Sequence, residues 1–252
     1  MLRDTGLVFG RAMRQLIRNP VWVAFGITQP VLYLGLFGPL LTTIVGATPG
    51  FPPGDAWQIF VPALLVQMGL FGGLFVGFGL IAEYRAGVIE RMRVTPASRT
   101  ALLLGRVLRD GVVTLAQAIL MVLIALLFGL RVPWQGAALG LAIMVLLGMA
   151  LSATSYAVAL LVKSEDAFAP LLNAVALPVV LLSGILLPMQ LAPDWLYRLS
   201  RINPFSHIVD AERAAFLGDF DSRAVLVGGL VTVGLAVLAA LWGTRTFQRE
   251  NA

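Results

Sequence analysis

The sequence contains no cysteine, a single histidine and a single lysine among its 252 residues. Without cysteine there can be no disulfide, no thiol nucleophile and no Cys-ligated metal. His207 alone does not make a histidine-based metal site within one chain. The sequence also lacks the Gly-x-x-x-x-Gly-Lys-Ser/Thr phosphate loop, Gly-x-Ser-x-Gly and His-Glu-x-x-His. We therefore expect no enzyme active site, no cofactor and no metal in this chain.

Charged residues are missing from six long stretches, and they make up only 12% of the chain, roughly half the fraction typical of soluble proteins. A helix that spans a bilayer needs about 20 apolar residues, and each stretch supplies that length. The fold class that follows is an all-α polytopic membrane protein with six transmembrane helices. The absence of acids and histidine from these stretches argues against transport coupled directly to protons or ions. The predicted spans are about 21–46, 58–82, 111–130, 136–162, 167–188 and 224–243.

The distribution of basic residues predicts the orientation of the spans. Most of the 18 basic residues lie in the N-terminal segment, in the loops after the second and fourth spans, and in the C-terminal tail. The positive-inside rule therefore predicts that both termini are cytoplasmic. Because the basic residues flank spans instead of forming one solvated face, the net charge of +5 does not indicate nucleic-acid binding. The preference for Arg over Lys is typical of a bacterium with a GC-rich genome, so we predict the bacterial plasma (inner) membrane.

The N-terminal segment 1–20 favours an interfacial helix. Phe9 and Met13 fall at helical spacing on one face, while Arg11 and Arg14 share another. Such a helix lies in the plane of the lipid headgroups. The alternative is an ordinary basic flank that only sets orientation.

The segment 83–99, between the second and third spans, is long for a connection and densely charged. Apolar and charged residues are interleaved over 88–94, which favours a short amphipathic helix on the membrane face. Thr95 followed by Pro96 is typical of a helix start, and that helix would continue into the third span. The segment is either a solvated loop that only sets topology or a docking surface for a cytoplasmic partner.

The segment 189–223 follows the fifth span, which Pro188 is predicted to end. Two short amphipathic helices are expected there, separated by a turn at Asn203-Pro204, with the second running over 205–216. Both are too apolar for open solvent, so we expect them to dip into the outer leaflet or cap the bundle. They form either an outer gate or a lid with no moving role.

Inside the spans, the informative residues are small or polar and uncharged. Gly69, Gly73 and Gly77 recur at a spacing that allows close helix approach, and we expect this packing within one subunit. Sparse polar and aromatic residues are candidates for lining a pathway. They are Gln29, Tyr33, Gln67, Phe71 and Asn173.

Two segments resemble the signature sequences of type-2 ATP-binding-cassette (ABC) permeases, and the resemblance covers essentially the whole chain. The first is the charged run from Glu83 to Arg99. The second begins at Leu182-Ser183-Gly184 and includes Pro188, Pro193-x-Trp195 and Asn203-Pro204. Within that family the chain is most similar to permeases of the daunorubicin-resistance type, which export drugs. Polysaccharide and lipopolysaccharide permeases are relatives.

The resemblance implies a permease homodimer that pairs with two copies of a cytoplasmic P-loop ATPase, which would bind the ATP and Mg. Segment 87–96 would carry the coupling helix. A pathway between the two subunits, lined mainly by the first, second and fifth spans, would carry a small hydrophobic substrate outward among the membrane lipids. The residues implied in ATPase coupling are Glu83, Arg85, Gly87, Glu90, Arg91, Arg93, Pro96 and Arg99. Those implied in the outer gate are Ser183, Gly184, Pro188, Trp195, Asn203 and Pro204.

Three other functions remain open at this stage. The first is export of a lipid-linked glycan, whose exporters in this family often line the path with aromatic residues; the aromatic candidates here, such as Tyr33, Phe37, Phe71 and Phe75, are few and mostly Phe. The second is a membrane scaffold without a pathway, which predicts no substrate-stimulated ATP hydrolysis in the complex. The third is a membrane-embedded enzyme, which the lack of His, Cys, Asp and Glu in the spans disfavours.

Overall fold

The structure, a computed structural model, describes residues 2–18, 21–47, 53–88 and 98–250. This described part is almost entirely helical and contains no strand, which confirms the all-α class. A short 3-10 turn lies at Met189–Leu191. The helices are α1 (Leu2–Arg18), α2 (Val21–Ala47), α3 (Ala56–Arg85), α4 (Arg99–Leu127), α5 (Trp134–Val162), α6 (Glu165–Ser183), α7 (Asp194–Ser200), α8 (Pro204–Leu217) and α9 (Arg223–Glu250).

Five stretches of the described part are long and apolar enough to cross a bilayer, which confirms a polytopic membrane protein. They correspond to the predicted second to sixth spans. The predicted first span, 21–46, coincides with α2, which has 27 residues and no charge; its crossing of the bilayer stays a prediction. The five stretches are Ala56–Arg85, Thr100–Leu127, Trp134–Val162, Glu165–Ser183 and Arg223–Arg249.

Local sequence signals set the start of two of these helices. Asp55 and Gln58 form a capping box, in which each side chain accepts from the backbone N–H of the other residue. Such a cap is worth about 1 kcal/mol. α4 begins at Arg99, after Ser98, whose hydroxyl accepts from the Ala101 N–H at 3.2 Å. The predicted helix start at Thr95-Pro96 lies outside the described residues.

The fifth span ends earlier than predicted. α6 stops at Ser183 because Gly184 adopts a left-handed conformation, with a φ of 80°. A glycine takes that conformation without the steric cost of a Cβ atom, so it is a frequent helix terminator. Pro188 does not end the helix; it precedes the 3-10 turn that leads into α7.

The core is built around α5, which packs on α3, α4 and α9. Gly73 allows the closest approach of α3, because a Cβ atom there would stand 2.6 Å from Leu151 Cβ and 2.9 Å from the Gly148 carbonyl oxygen. Gly77 approaches Ser155 and Phe168 as closely, whereas a Cβ atom at Gly69 would make only ordinary van der Waals contact with Met144, at 3.5 Å. The predicted packing of this glycine stripe within one subunit is confirmed.

The predicted N-terminal helix is α1, which packs on α4. Gly105 makes room for it, since a Cβ atom there would lie 2.7 Å from Val8 Cβ. Arg11, Arg14 and Arg18 are exposed on the remaining surface. This amphipathic arrangement suits the headgroup region, and the interfacial location stays a prediction.

Candidate functional sites at the two ends of the bundle

An ion pair fastens the base of the segment 83–99 to the bundle. The Arg106 guanidinium on α4 donates to a carboxylate oxygen of Glu83 near the end of α3, at 2.5 Å. The two side chains are only 10% and 22% exposed. Removing one partner of such a pair leaves the other charge buried without compensation, which is far more costly than losing an exposed pair. The two helices that flank the segment are thereby joined at its base.

The turn between α5 and α6 contacts the same end of α3. Arg85 lies 3.7 Å from the Glu165 carboxylate, and the Lys163 ammonium stands 5.6 Å from the centre of the Tyr84 ring. The Arg85–Glu165 pair is about half exposed, so it contributes little stability, roughly 0–1 kcal/mol. Its effect is to bring the start of α6 to the base of the segment.

One turn further along α4, three polar groups form a closed triangle with α5. The Tyr156 hydroxyl donates to Asp110 Oδ2 at 2.7 Å, and Arg109 donates to Asp110 at 2.5 Å and to the Tyr156 oxygen at 2.9 Å. Asp110 is 6% and Tyr156 1% exposed. The guanidinium compensates the carboxylate, so the three groups can be buried together.

This triangle was missed from the sequence. Asp110 directly precedes the predicted third span, 111–130, and Tyr156 lies inside the predicted fourth span, 136–162. The available signal was the adjacent pair Arg109-Asp110 at the start of an apolar stretch. Without the tertiary structure, nothing indicated that a tyrosine 46 positions away would complete it.

The predicted coupling residues fall in three groups. Glu83 and Arg85 lie at the base of the segment, in the contacts given above. Gly87 has a φ of 67°, a left-handed conformation that turns the chain after α3. Arg99 is the first residue of α4. Glu90, Arg91, Arg93 and Pro96 lie outside the described residues.

At the opposite end of the bundle, Arg213 ties α8 to two other helices. Its guanidinium donates to the Ile59 carbonyl of α3 at 3.0 Å and to the Gly184 carbonyl after α6 at 2.8 Å. The side chain is buried, and burial lowers the pKa of Arg213 to about 10. The group therefore remains cationic at neutral pH, and its buried guanidinium is satisfied by backbone carbonyls of α3 and of the turn after α6.

Glu212, beside Arg213 on α8, is fully buried. Neither of its carboxylate oxygens has a hydrogen-bond partner among the described residues. It faces α5, where a Cβ atom at Gly140 would stand 2.5 Å from Glu212 Oε2. Burial raises the pKa of Glu212 well above its ordinary value, because desolvation disfavours the charged carboxylate. Glu212 falls within the predicted helix 205–216, and nothing in the sequence indicated that it is buried.

Most of the predicted gate residues are buried. Asn203 caps α8, because its side-chain oxygen accepts from the Phe205 N–H, and its amide donates to the Val179 carbonyl of α6 at 2.8 Å. Ser183, Gly184 and Pro188, at and after the end of α6, are buried. Pro204 is the first residue of α8. Trp195 stands apart, 68% exposed on α7. Asn203-Pro204 is thus a helix cap more than a free turn.

The predicted pathway residues divide between surface and core. Gln29 on α2 and Asn173 on α6 are exposed, while Tyr33 and Phe71 are half-buried. Gln67 is only 5% exposed, and its side-chain oxygen has no partner among the described residues.

A strip of α3 remains open beside these residues. Gly72, Phe75 and Gly79 are exposed at helical spacing, and no atom lies within 4 Å of a Cβ atom placed at either glycine. The Phe75 ring stacks between Phe71 and Phe78, with centroids 5.8 Å and 6.0 Å apart. α3 also contacts both α2 and α6. The strip is an uncharged, partly aromatic wall.

The described part is thus a polytopic helical bundle with the Glu83–Arg106 pair at one end and the mostly buried helix α8 at the other. The family model described as "ABC-2 type transporter" matches residues 3–217. The chain belongs to this family. It is accordingly the permease subunit of an ABC transporter, located in a membrane, and family membership implies an ATPase partner.

Curated relatives support the assignment along most of the chain. The daunorubicin resistance ABC transporter permease protein DrrB1 of Streptomyces coeruleorubidus is 23% identical over 96% of this chain and 85% of its own length. The probable doxorubicin resistance ABC transporter permease protein DrrC of Mycobacterium tuberculosis is 24% identical over 94% and 86%. The putative transport permease ycf38 of Cyanophora paradoxa is 26% identical over 84% and 73%.

Proposed function

We propose that this permease exports a hydrophobic or amphiphilic small molecule, a drug or a lipid-like compound, from the cytoplasm or the inner leaflet. The observation that carries the proposal is the open strip Gly72, Phe75 and Gly79 on α3. Small residues and an aromatic face without charge suit an apolar substrate, which gains by leaving water and requires no ion pair. The drug-resistance names of two relatives support the same substrate class.

The pathway would be completed by a second copy of the chain. α6 exposes Leu171, Val175, Leu177 and Leu181, which are 43–63% exposed. On α2, Leu32 and Leu36 are 53% and 71% exposed. In a homodimer, the faces of α2, α3 and α6 from both copies would enclose the route, with Gln29, Tyr33 and Asn173 as its polar positions.

Energy would enter at the base of the segment 83–99. Two copies of a cytoplasmic P-loop ATPase, holding ATP and Mg, would press on this segment through Glu90, Arg91 and Arg93. The Glu83–Arg106 pair and the Arg109–Asp110–Tyr156 triangle join α3, α4 and α5, so a push would move these helices as a body. The chain would lie in a bacterial plasma membrane with both termini cytoplasmic, as the basic residues predict.

The first experiment is purification of the tagged chain from its native host in mild detergent, with identification of the proteins that accompany it. A stoichiometric P-loop ATPase without a second permease supports the homodimeric exporter. Absence of an ATPase, under conditions that preserve other membrane complexes, contradicts the coupling role of the segment 83–99.

The substrate class is then tested in inside-out vesicles that contain the chain with its ATPase, by following ATP-dependent uptake of a fluorescent lipophilic amphiphile. Phe75→Ala should lower the uptake rate about fivefold, from roughly 1 kcal/mol of lost aromatic contact. Leu238→Ala is the matched control, because Leu238 is 65% exposed on α9, away from the strip. Equal rates for both variants and the parent would contradict the pathway.

A further inference from the structure

A pocket of about 400 Å³ lies where α8 meets the start of α9, outside the coupling and pathway residues. Its charged and polar lining residues are Arg201, His207, Asp210 and Arg223, and its apolar lining residues are Ala224 and Val227. The proposed export function uses none of these six residues.

One arginine of the pocket is held rigidly in place. Arg201 donates to Asp210 Oδ2 at 2.5 Å and to His207 Nδ1 at 2.8 Å. Because a guanidinium has no acceptor, Nδ1 of His207 must accept, which leaves the other ring nitrogen to donate to the Arg201 carbonyl at 3.0 Å. His207 is thus the neutral tautomer, and Asp210 already balances the charge of Arg201.

The second arginine supplies the excess positive charge. Arg223 is exposed, and it forms no ion pair within the described part of the chain. It is also the first residue of the 28-residue helix α9, where a cation is unfavourable beside the positive end of the helix dipole. An anion between Arg201 and Arg223 would compensate the repulsion between Arg223 and the positive end of the α9 dipole. It could also accept hydrogen bonds from both guanidinium groups, which is the geometry that phosphate groups favour.

The surroundings of the pocket favour a lipid over a soluble anion. A candidate membrane span begins at Arg223, which places this residue at the level of the lipid headgroups. Val227 and Leu230 follow on the same face of α9, and Leu230 is 66% exposed. An acyl chain would lie along this face while its phosphate stands at Arg223. The carboxylate of Asp210 is already paired with Arg201, so it is not available to bind a cationic headgroup.

We propose that this pocket binds the phosphate of an anionic phospholipid in the leaflet that contains α7 and α8. Binding there would reinforce the start of α9 against α8, two helices that already pack directly where Gly228 faces Ala211 and the His207 carbonyl. The proposal does not depend on the transported substrate or on the ATPase.

The test is native mass spectrometry of the purified full chain, titrated with phosphatidylglycerol or with phosphatidylcholine. The chain should retain phosphatidylglycerol preferentially, and Arg223→Gln should weaken that retention about fivefold, the usual effect of one arginine at a lipid surface. Arg223→Lys should retain most of the binding, which separates lost charge from misfolding. Arg198→Gln, an exposed arginine of α7 that does not line the pocket, should change nothing.

Two results would overturn the proposal. Equal retention by Arg223→Gln and the parent chain would show that the lipid binds elsewhere. Displacement of phosphatidylglycerol by inorganic phosphate, or equal binding of glycerol phosphate, would assign the pocket to a soluble phosphate compound instead of a lipid.

Discussion

The Tyr156 hydroxyl donates a hydrogen bond of 2.7 Å to Asp110. This bond joins α4 to the C-terminal part of α5. Both residues are almost fully buried. Arg109 closes the triangle by donating to both. This contact lies one turn from the Glu83–Arg106 pair, so a continuous polar connection runs from the base of the segment 83–99 into the helical core.

Removing the Tyr156 hydroxyl should destabilise the protein. Tyr156→Phe leaves a buried carboxylate with one fewer donor, at a cost of about 1–3 kcal/mol. Tyr197→Phe makes the same chemical change at a residue of α7 that is 37% exposed, and should have little effect. Thermal unfolding of both variants in detergent checks this; equal melting temperatures would show that the triangle contributes no stability.

The pair at the base of the loop should couple ATP hydrolysis to substrate. In the complex with the ATPase, Glu83→Arg or Arg106→Glu alone should reduce substrate-stimulated hydrolysis, because each leaves two like charges facing across 2.5 Å. The double variant restores opposite charges and should recover part of the stimulation, with an interaction free energy of about 1–3 kcal/mol. Additive losses in the double variant would argue that the pair has no role in coupling.

The close approach of α3 and α5 should not tolerate a methyl group. Gly73→Ala would place a Cβ atom 2.9 Å from the Gly148 carbonyl oxygen, and backbone atoms cannot move aside cheaply, so the expected cost is about 1–3 kcal/mol. Gly234→Ala on α9 meets no atom within 4 Å and should be neutral or stabilising by up to about 1 kcal/mol. Melting temperatures that move in the same direction for both variants would contradict this packing.

Stability should depend on pH through Glu212. The pKa of its carboxyl is raised above the usual 4.5 in the folded protein, so the folded state holds this proton more tightly than the unfolded state. The resulting loss of folding stability is absent below pH 4.5. Above that pH it grows by up to about 1.4 kcal/mol per pH unit, until the pH exceeds the pKa of Glu212 in the folded state. Glu212→Gln does not titrate and should escape it.

The measurement is the difference in melting temperature between Glu212→Gln and the parent chain at about pH 5 and about pH 8. The advantage of the variant should be larger at the higher pH. Asp221→Asn removes an exposed carboxylate of the same segment, 189–223, and should show no such trend. Parallel pH profiles for the parent chain and Glu212→Gln would mean that the carboxyl is not desolvated.

Particular helices show how much of the fold could be predicted from the sequence. Long uncharged stretches predicted five spans that the structure contains, because an apolar helix of that length has no stable alternative in a bilayer. The helix that follows Asn203 and the glycine stripe of α3 were also predicted from local sequence, although Asn203-Pro204 was predicted as a turn and is a helix cap. The end of α6 was misplaced at Pro188, because a glycine that terminates a helix looks the same in sequence as one inside it.

By itself, the sequence determined the all-α membrane class, the course of α3 to α6 and α9, and the family, since each rests on hydrophobic length or on short ordered motifs. Only the tertiary structure decided which charges are buried. Asp110 and Arg213 lie in the core because a hydroxyl or carbonyls from distant helices satisfy them. Glu212 lies there against α5 without a hydrogen-bond partner among the described residues. Burial of a charge depends on these long-range contacts, which composition and spacing do not encode.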